Sequence, residues 1–190
     1  MLGPEHPYTL TSVSHLGSVL ESQGKHKEAE AMHRRSLKGK EKVLGPEHPH
    51  TLTSVSHLGS VLENQGKYKE AEAMHRRSLK GREKVLGPEH PYTLTSVSRL
   101  GSVSESQGKY EEAEAMYRRS LKGKEKVLGP EHPDTLTSMA CLALMYRTQG
   151  RWKEAEELGV KVIETRKRVL GEEHPDTLTS ISNLAFTLKS

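Results

Sequence analysis

The chain has 190 residues, one cysteine, a formal charge of +4, a pI near 9.1 and a mean hydropathy of −0.72. One cysteine excludes an intramolecular disulfide. The longest apolar run, Met139 to Tyr146, falls far short of the roughly 20 residues that span a bilayer, and the opening MLGPEHP has no leader-like apolar region. With 33% hydrophobic and 4% aromatic residues but a regular supply of Leu, Val and Ala, the composition suits a thin, elongated core in a cytoplasmic protein.

The phrase LGPEHPYTLTS begins at Leu2 and returns with small changes at Leu44, Leu86, Leu128 and Leu170, a constant step of 42 residues. A period of that length signals stacked supersecondary units. The expected organisation is one array over 1–190, with units at about 2–43, 44–85, 86–127 and 128–169 and a terminal half unit at 170–190. Within the first unit, Leu10, Val13, Leu16, Gly17 and Leu20 fall on one stripe of an amphipathic helix. Pro7 is placed at its first position, where a missing N–H costs nothing, and Gln23-Gly24 ends it. In later units Asp134 and Asp176 enter the first turn, where a carboxylate favours the helix dipole.

A second helix follows over KEAEAMHRRSLKGKEKVLG, with Ala29, Met32, His33, Ser36, Leu37, Val43 and Leu44 on its apolar side, and Gly45-Pro46 stops it. Gly39, Gly81 and Gly123 are expected to fray or bend these helices, since Gly costs about 0.5–1 kcal/mol relative to Ala. Lys25, Lys27, Arg34, Arg35, Lys38, Lys40 and Lys42 alternate with Glu28, Glu30 and Glu41 and are expected to form a solvated outer face. Ser104 replaces the Leu20 and Leu62 of earlier units, which predicts that the third unit is the weakest.

The segment HLGSVLESQGKHKEAEAMHRRSL, His15 to Leu37, resembles the tetratricopeptide repeat, with Leu16-Gly17, Leu20, Gly24, Ala29 and Ser36-Leu37 at the packing positions. His26, Tyr68, Tyr110 and Trp152 share the ring position. The 42-residue period is similar to the long-helix units of kinesin light chains. Gln149 to Ala185 resembles the repeat arrays of fungal NLR/STAND-like proteins. The resemblance implies an all-α, right-handed superhelical solenoid of antiparallel helix pairs, and non-catalytic protein binding. It implies a ligand-sensing or scaffold array, with a kinesin-light-chain-like cargo adaptor or a self-associating spacer as alternatives.

Candidate chemistry is sparse. His6, His48, His90, His132 and His174 occur once per unit, which makes a ladder of loop or cap residues and not the converging ligand set zinc needs. RRS at Arg34 to Ser36 places its serine at a packing position. No catalytic residue, cofactor or metal site, nucleic-acid partner or membrane partner is expected. By the resemblance, Ser14, Ser18, Glu21 and Ser22 and their equivalents line an exposed, polar groove. In the last units that groove turns apolar and basic. Ala140, Leu144, Arg147, Asn183, Phe186 and Lys189 are the candidate peptide-binding residues, suited to an acidic protein or peptide ligand with an aromatic anchor. The terminal helix is also expected to support weak self-association.

Overall fold

In a computed structural model, residues 3–188 are described, and among them the chain forms nine helices. The shorter helix of each repeat gives α1 (Pro7–Ser22), α3 (Pro49–Asn64), α5 (Pro91–Ser106), α7 (Pro133–Thr148) and α9 (Pro175–Leu188). The longer one gives α2 (His26–Leu44), α4 (Tyr68–Leu86), α6 (Tyr110–Leu128) and α8 (Trp152–Leu170). Two compact units result, Met1–Pro88 with α1 to α4 and Glu89–Ser190 with α5 to α9. Within each, consecutive helices pack on one another.

The caps follow from the repeated words. His6 lies outside the first helix in extended geometry, and its Nδ1 accepts the Tyr8 N–H at 3.3 Å. His48, His90, His132 and His174 do the same for His50, Tyr92, Asp134 and Asp176. Each histidine therefore satisfies one of the donors a helix start leaves over, a task usually given to Ser, Thr, Asn or Asp. At the other end Gly24 takes φ +75°. The Lys25 N–H then reaches Leu20 O and the Gly24 N–H reaches Glu21 O, both at 2.9 Å, the paired bonds of a Schellman turn.

Each unit has its own apolar core. Leu52, Val55, Leu58, Val61, Leu62 and Ala71 are buried in the first, and Ala113, Tyr117, Leu142, Met145, Tyr146 and Ala155 form a cluster in the second. Burying one such Leu or Val stabilises the fold by about 1.5–3 kcal/mol. The glycines expected to weaken the long helices do the opposite: each helix is continuous, and Gly81 and Gly123 are buried. A Cβ at Gly39, Gly81 or Gly123 would come within 2.4–2.5 Å of the Leu10, Leu52 or Leu94 side chain. These glycines are holes that receive a leucine knob. Beside them Ser36 and Ser120 donate to Leu10 O and Leu94 O at 2.8 Å, so the serine is held in the helix contact as its position suggested.

The outer-face expectation for the lysines needs one correction. Lys40 is only 3% exposed and its Nζ donates to Ser54 Oγ at 3.0 Å. Lys124 repeats this with Ser138 Oγ at 2.9 Å, and Arg166 bonds Ser180 Oγ at 2.7 Å and Asp176 O at 2.9 Å. A long stem lets the cation cross to the start of the next short helix and find neutral oxygen acceptors there. Burial pushes the Lys40 and Lys124 ammonium groups down from the ordinary lysine value. Other cations do face solvent and are clipped to carboxylates, as in Lys42–Glu5, Lys84–Glu47 and Arg168–Glu131.

Candidate functional site

The second unit brings most of the candidate residues together around α7, α8 and α9. Leu144 and Ala140 are half-buried and line a cavity of about 20 Å³ with Ala143, Ala155, Gly159, Val162, Asn183 and Leu184. The cavity has a clear origin. In α3 and α4 the corresponding space is filled by the His75 ring, whose Cε1 lies where it would meet a Cβ on Gly59 at 2.6 Å. In α7 and α8 the 42-residue register puts Ala143 in place of that glycine and Gly159 in place of that ring. One methyl group does not fill the volume of an imidazole, and a hole about one water in size remains.

A wider open cleft adjoins it, lined by Arg147, Trp152, Asn183 and Phe186. Arg147 lies one helical turn beyond Leu144 on α7, and its Nη1 donates to Asn183 O at 3.5 Å, which ties the guanidinium to α9. Phe186 is 63% exposed and Trp152, at the start of α8, is 42% exposed. The cleft thus joins two aromatic faces, one cation and an amide, while Leu144 and Ala140 sit on the apolar side. Lys189 lies outside the described residues.

Trp152 was not among the sequence candidates. A signal existed: every long helix begins on a ring, and only here is that ring indole, beside a short helix that ends in Arg147. Directly behind Trp152, Arg151 stacks over the Tyr146 ring with its guanidinium carbon 4.0 Å from the ring centre and bonds Glu114 at 2.6 Å. Burial alone would raise the Glu114 carboxyl, but hydrogen bonds from Arg151, Arg118 and Tyr146 hold it below the ordinary carboxylate range. The residue preceding Trp152 is thus held in a paired charge network at the start of α8.

The groove expected in the earlier repeats is narrower than its sequence suggested. Ser14 and Ser56 are buried, and Ser14 Oγ lies 3.2 Å from His57 Nδ1, so only Ser18 and Ser22 of the first unit stay open to solvent. Asn64 donates to Glu21 at 2.7 Å, which ties that carboxylate to the next short helix.

The remaining histidines carry no visible chemistry. His33 and His75 are fully buried, neither ring nitrogen of either has a hydrogen-bond partner, and the nearest carboxylates, Glu21 and Glu63, are 3.7 and 3.8 Å away. Burial, with the Lys40 charge adding to it, pushes the His33 imidazole below its ordinary value. Among the described residues no group of three or more His, Cys, Asp or Glu side chains could hold a metal ion. No described helix is long and apolar enough to cross a membrane. Cys141 is half-buried, and burial raises its thiol.

The tetratricopeptide repeat family model matches residues 8–84, 50–126, 95–168 and 139–190. Among solved structures, nearly identical TPR-like repeats of a P. anserina protein described as kinesin light chain are similar at 29% identity. That match covers 97% of this chain and 87% of the other, with a TM-score of 0.76. A single-substitution variant of those P. anserina repeats matches with a TM-score of 0.77. BtubC (BKLC) from P. vanneervenii, at 19% identity over 96% of this chain and 73% of its own, has a TM-score of 0.79 and supports the fold. No protein with a curated description matches the sequence.

Proposed function

We propose, because the chain belongs to the tetratricopeptide repeat family, that it is a non-catalytic protein-binding module whose recognition site is the α7–α9 cleft. The ligand is an acidic peptide with an aromatic anchor. One observation carries this reading: Arg147, Trp152, Asn183 and Phe186, from three helices, line one open cleft. Exposed aromatic faces beside an arginine are the usual anchors of a peptide interface. Arg147, already bent toward α9, offers a planar donor fork to a carboxylate. The cavity beneath Leu144 is too small for a ring, so the anchor lies against Trp152 and Phe186 in the cleft and not inside the core.

The wider role follows the resemblance of Gln149 to Ala185 to NLR/STAND-like arrays: a cytoplasmic, ligand-sensing or scaffold array. A cargo adaptor is the second reading, and the kinesin-light-chain description of its solved neighbours favours it. A peptide array probed with the purified chain, beside an Arg147→Glu/Lys189→Glu variant of unchanged circular dichroism, tests the site. Acidic, aromatic-containing peptides are expected to bind the chain and not the variant. Equal binding by both would remove the cleft from the account.

A further inference from the structure

The hole beside Leu144 interrupts a packing that the other helix pairs complete with a ring. A Cβ on Gly17 would meet the His33 ring at 2.8 Å, one on Gly59 the His75 ring at 2.6 Å and one on Gly101 the Tyr117 ring at 3.4 Å. At the same step of 42 residues α8 has Gly159, and about 20 Å³ stays open between α7, α8 and α9. Ala140, Leu144 and Asn183 line this hole and are only half-buried, so it opens toward the groove, and Asn183 lines the cleft as well.

The lining decides what can enter. Ser180 Oγ already donates to Asp176 O and accepts from Arg166, and Thr187 Oγ1 donates to Asn183 O. A buried water needs about two to four polar partners, and this lining offers it the Asn183 amide alone, so the hole favours carbon. Its size is that of one methyl group, and a larger side chain overfills it. Leu144 and Asn183 each stand one helical turn, roughly 5 Å, before Arg147 and Phe186. Side chains on one face of an extended peptide recur every second residue, about 6.6 Å apart. Building on the reading of the α7–α9 cleft as a peptide site, we propose that the hole is its specificity pocket for a single methyl group. The peptide carries an alanine two residues from its aromatic anchor, and the alanine side chain fills the space that a ring fills in the other repeats.

The probe is an acidic, aromatic-containing peptide taken from the array, with the positions two residues before and after its anchor set in turn to Gly, Ala, Val and Leu. Each is titrated into the full chain by calorimetry. At one of the two positions Ala is expected to bind about four- to tenfold more tightly than Gly, with Val and Leu weaker than Ala. Gly159→Ala puts a methyl group into the hole from the protein side, close to Leu184. In that variant, with circular dichroism unchanged, the ratio of Ala to Gly affinities should fall to about one, and Ala143→Val is a second filling variant with the same expected result. Ala also stiffens the free peptide, so a gain that survives both filling variants belongs to the peptide backbone and overturns the proposal. A steady rise from Gly through Leu overturns it too, because that marks an open apolar surface. If the peptide is lost on Arg147→Glu yet shows no preference for Ala, the pocket falls and the cleft stands; if no acidic, aromatic-containing peptide binds, both fall.

Discussion

Helix pairs α3/α4 and α7/α8 are built on the same 42-residue register and solve one packing problem in two ways. In α3/α4 a glycine retreats and the His75 ring takes its space; in α7/α8 the ring is gone, Ala143 returns one methyl group, and a hole stays beside Leu144. The first arrangement is tightly filled, with both imidazole nitrogens buried without hydrogen bonds. The second is under-filled, and it borders the cleft that combines Arg147 with two aromatic side chains. An array of near-identical units thus acquires a distinct surface where its internal packing is relaxed.

The largest effect should come from overfilling the tight pair. Gly59→Val pushes side-chain atoms into His75 and is expected to cost about 1–3 kcal/mol or more in urea unfolding. Gly59→Ala/His75→Ala should cost less than the sum of its two single variants, because the clash disappears with the ring. Additive costs would mean that ring and glycine do not share the space.

The acid limb of stability comes next. His33 has a depressed folded value, so its unfolded form takes a proton first, and stability falls as pH drops from about 6.5 through the folded value. Glu30 acts lower down. Burial pushes its carboxyl up, but bonds from Lys67, Arg34 and Gln65 bring it to about 2, so its contribution is present above about 4.3 and lost as pH approaches 2. His33→Leu should flatten the upper segment of a plot of Tm against pH and leave the lower one. A plot that His33→Leu does not change would place the titrating group elsewhere.

Much of the fold was legible. The 42-residue step, Pro at each helix start and Gly at each helix end announce the helix pairs, because backbone chemistry at those points is local. The fate of Lys40 was not, since it sits among six other basic residues and its burial depends on Ser54, a partner fourteen residues away in another helix. Gly39 reads as a weak point in one helix until Leu10 is seen to fill it. Ser14 and Ser56 likewise read as groove residues because nothing local tells a buried serine from an exposed one. In the candidate site, Leu144, Arg147, Asn183 and Phe186 stand out in the sequence by their departure from the earlier repeats, and the structure places Arg147, Asn183 and Phe186 along one cleft with Leu144 on the adjoining cavity. Trp152 was missed because its position always holds a ring and so looked structural.

Smaller effects sharpen the same contrast. Gly159→Ala puts a methyl group near Leu184 Cδ1 at 3.2 Å, beside the cavity. It should raise stability by up to about 1 kcal/mol, opposite in sign to Gly59→Val. Lys124→Met removes a buried cation that donates to Ser138 Oγ and Asp134 O, and thermal unfolding should show a change within about 1 kcal/mol of zero. A large loss on Lys124→Met would show that the cation, and not its stem, joins the helices.

The central claim, that the α7–α9 cleft is the recognition surface, is tested most directly through Trp152, the chain's single tryptophan. A tryptophan-free acidic peptide with a phenylalanine anchor, taken from the array, is titrated while Trp152 emission is followed. A saturable shift in emission that Arg147→Glu abolishes is the predicted result. Saturable binding, seen by calorimetry, that leaves Trp152 emission unchanged would contradict the account and place the ligand on another face.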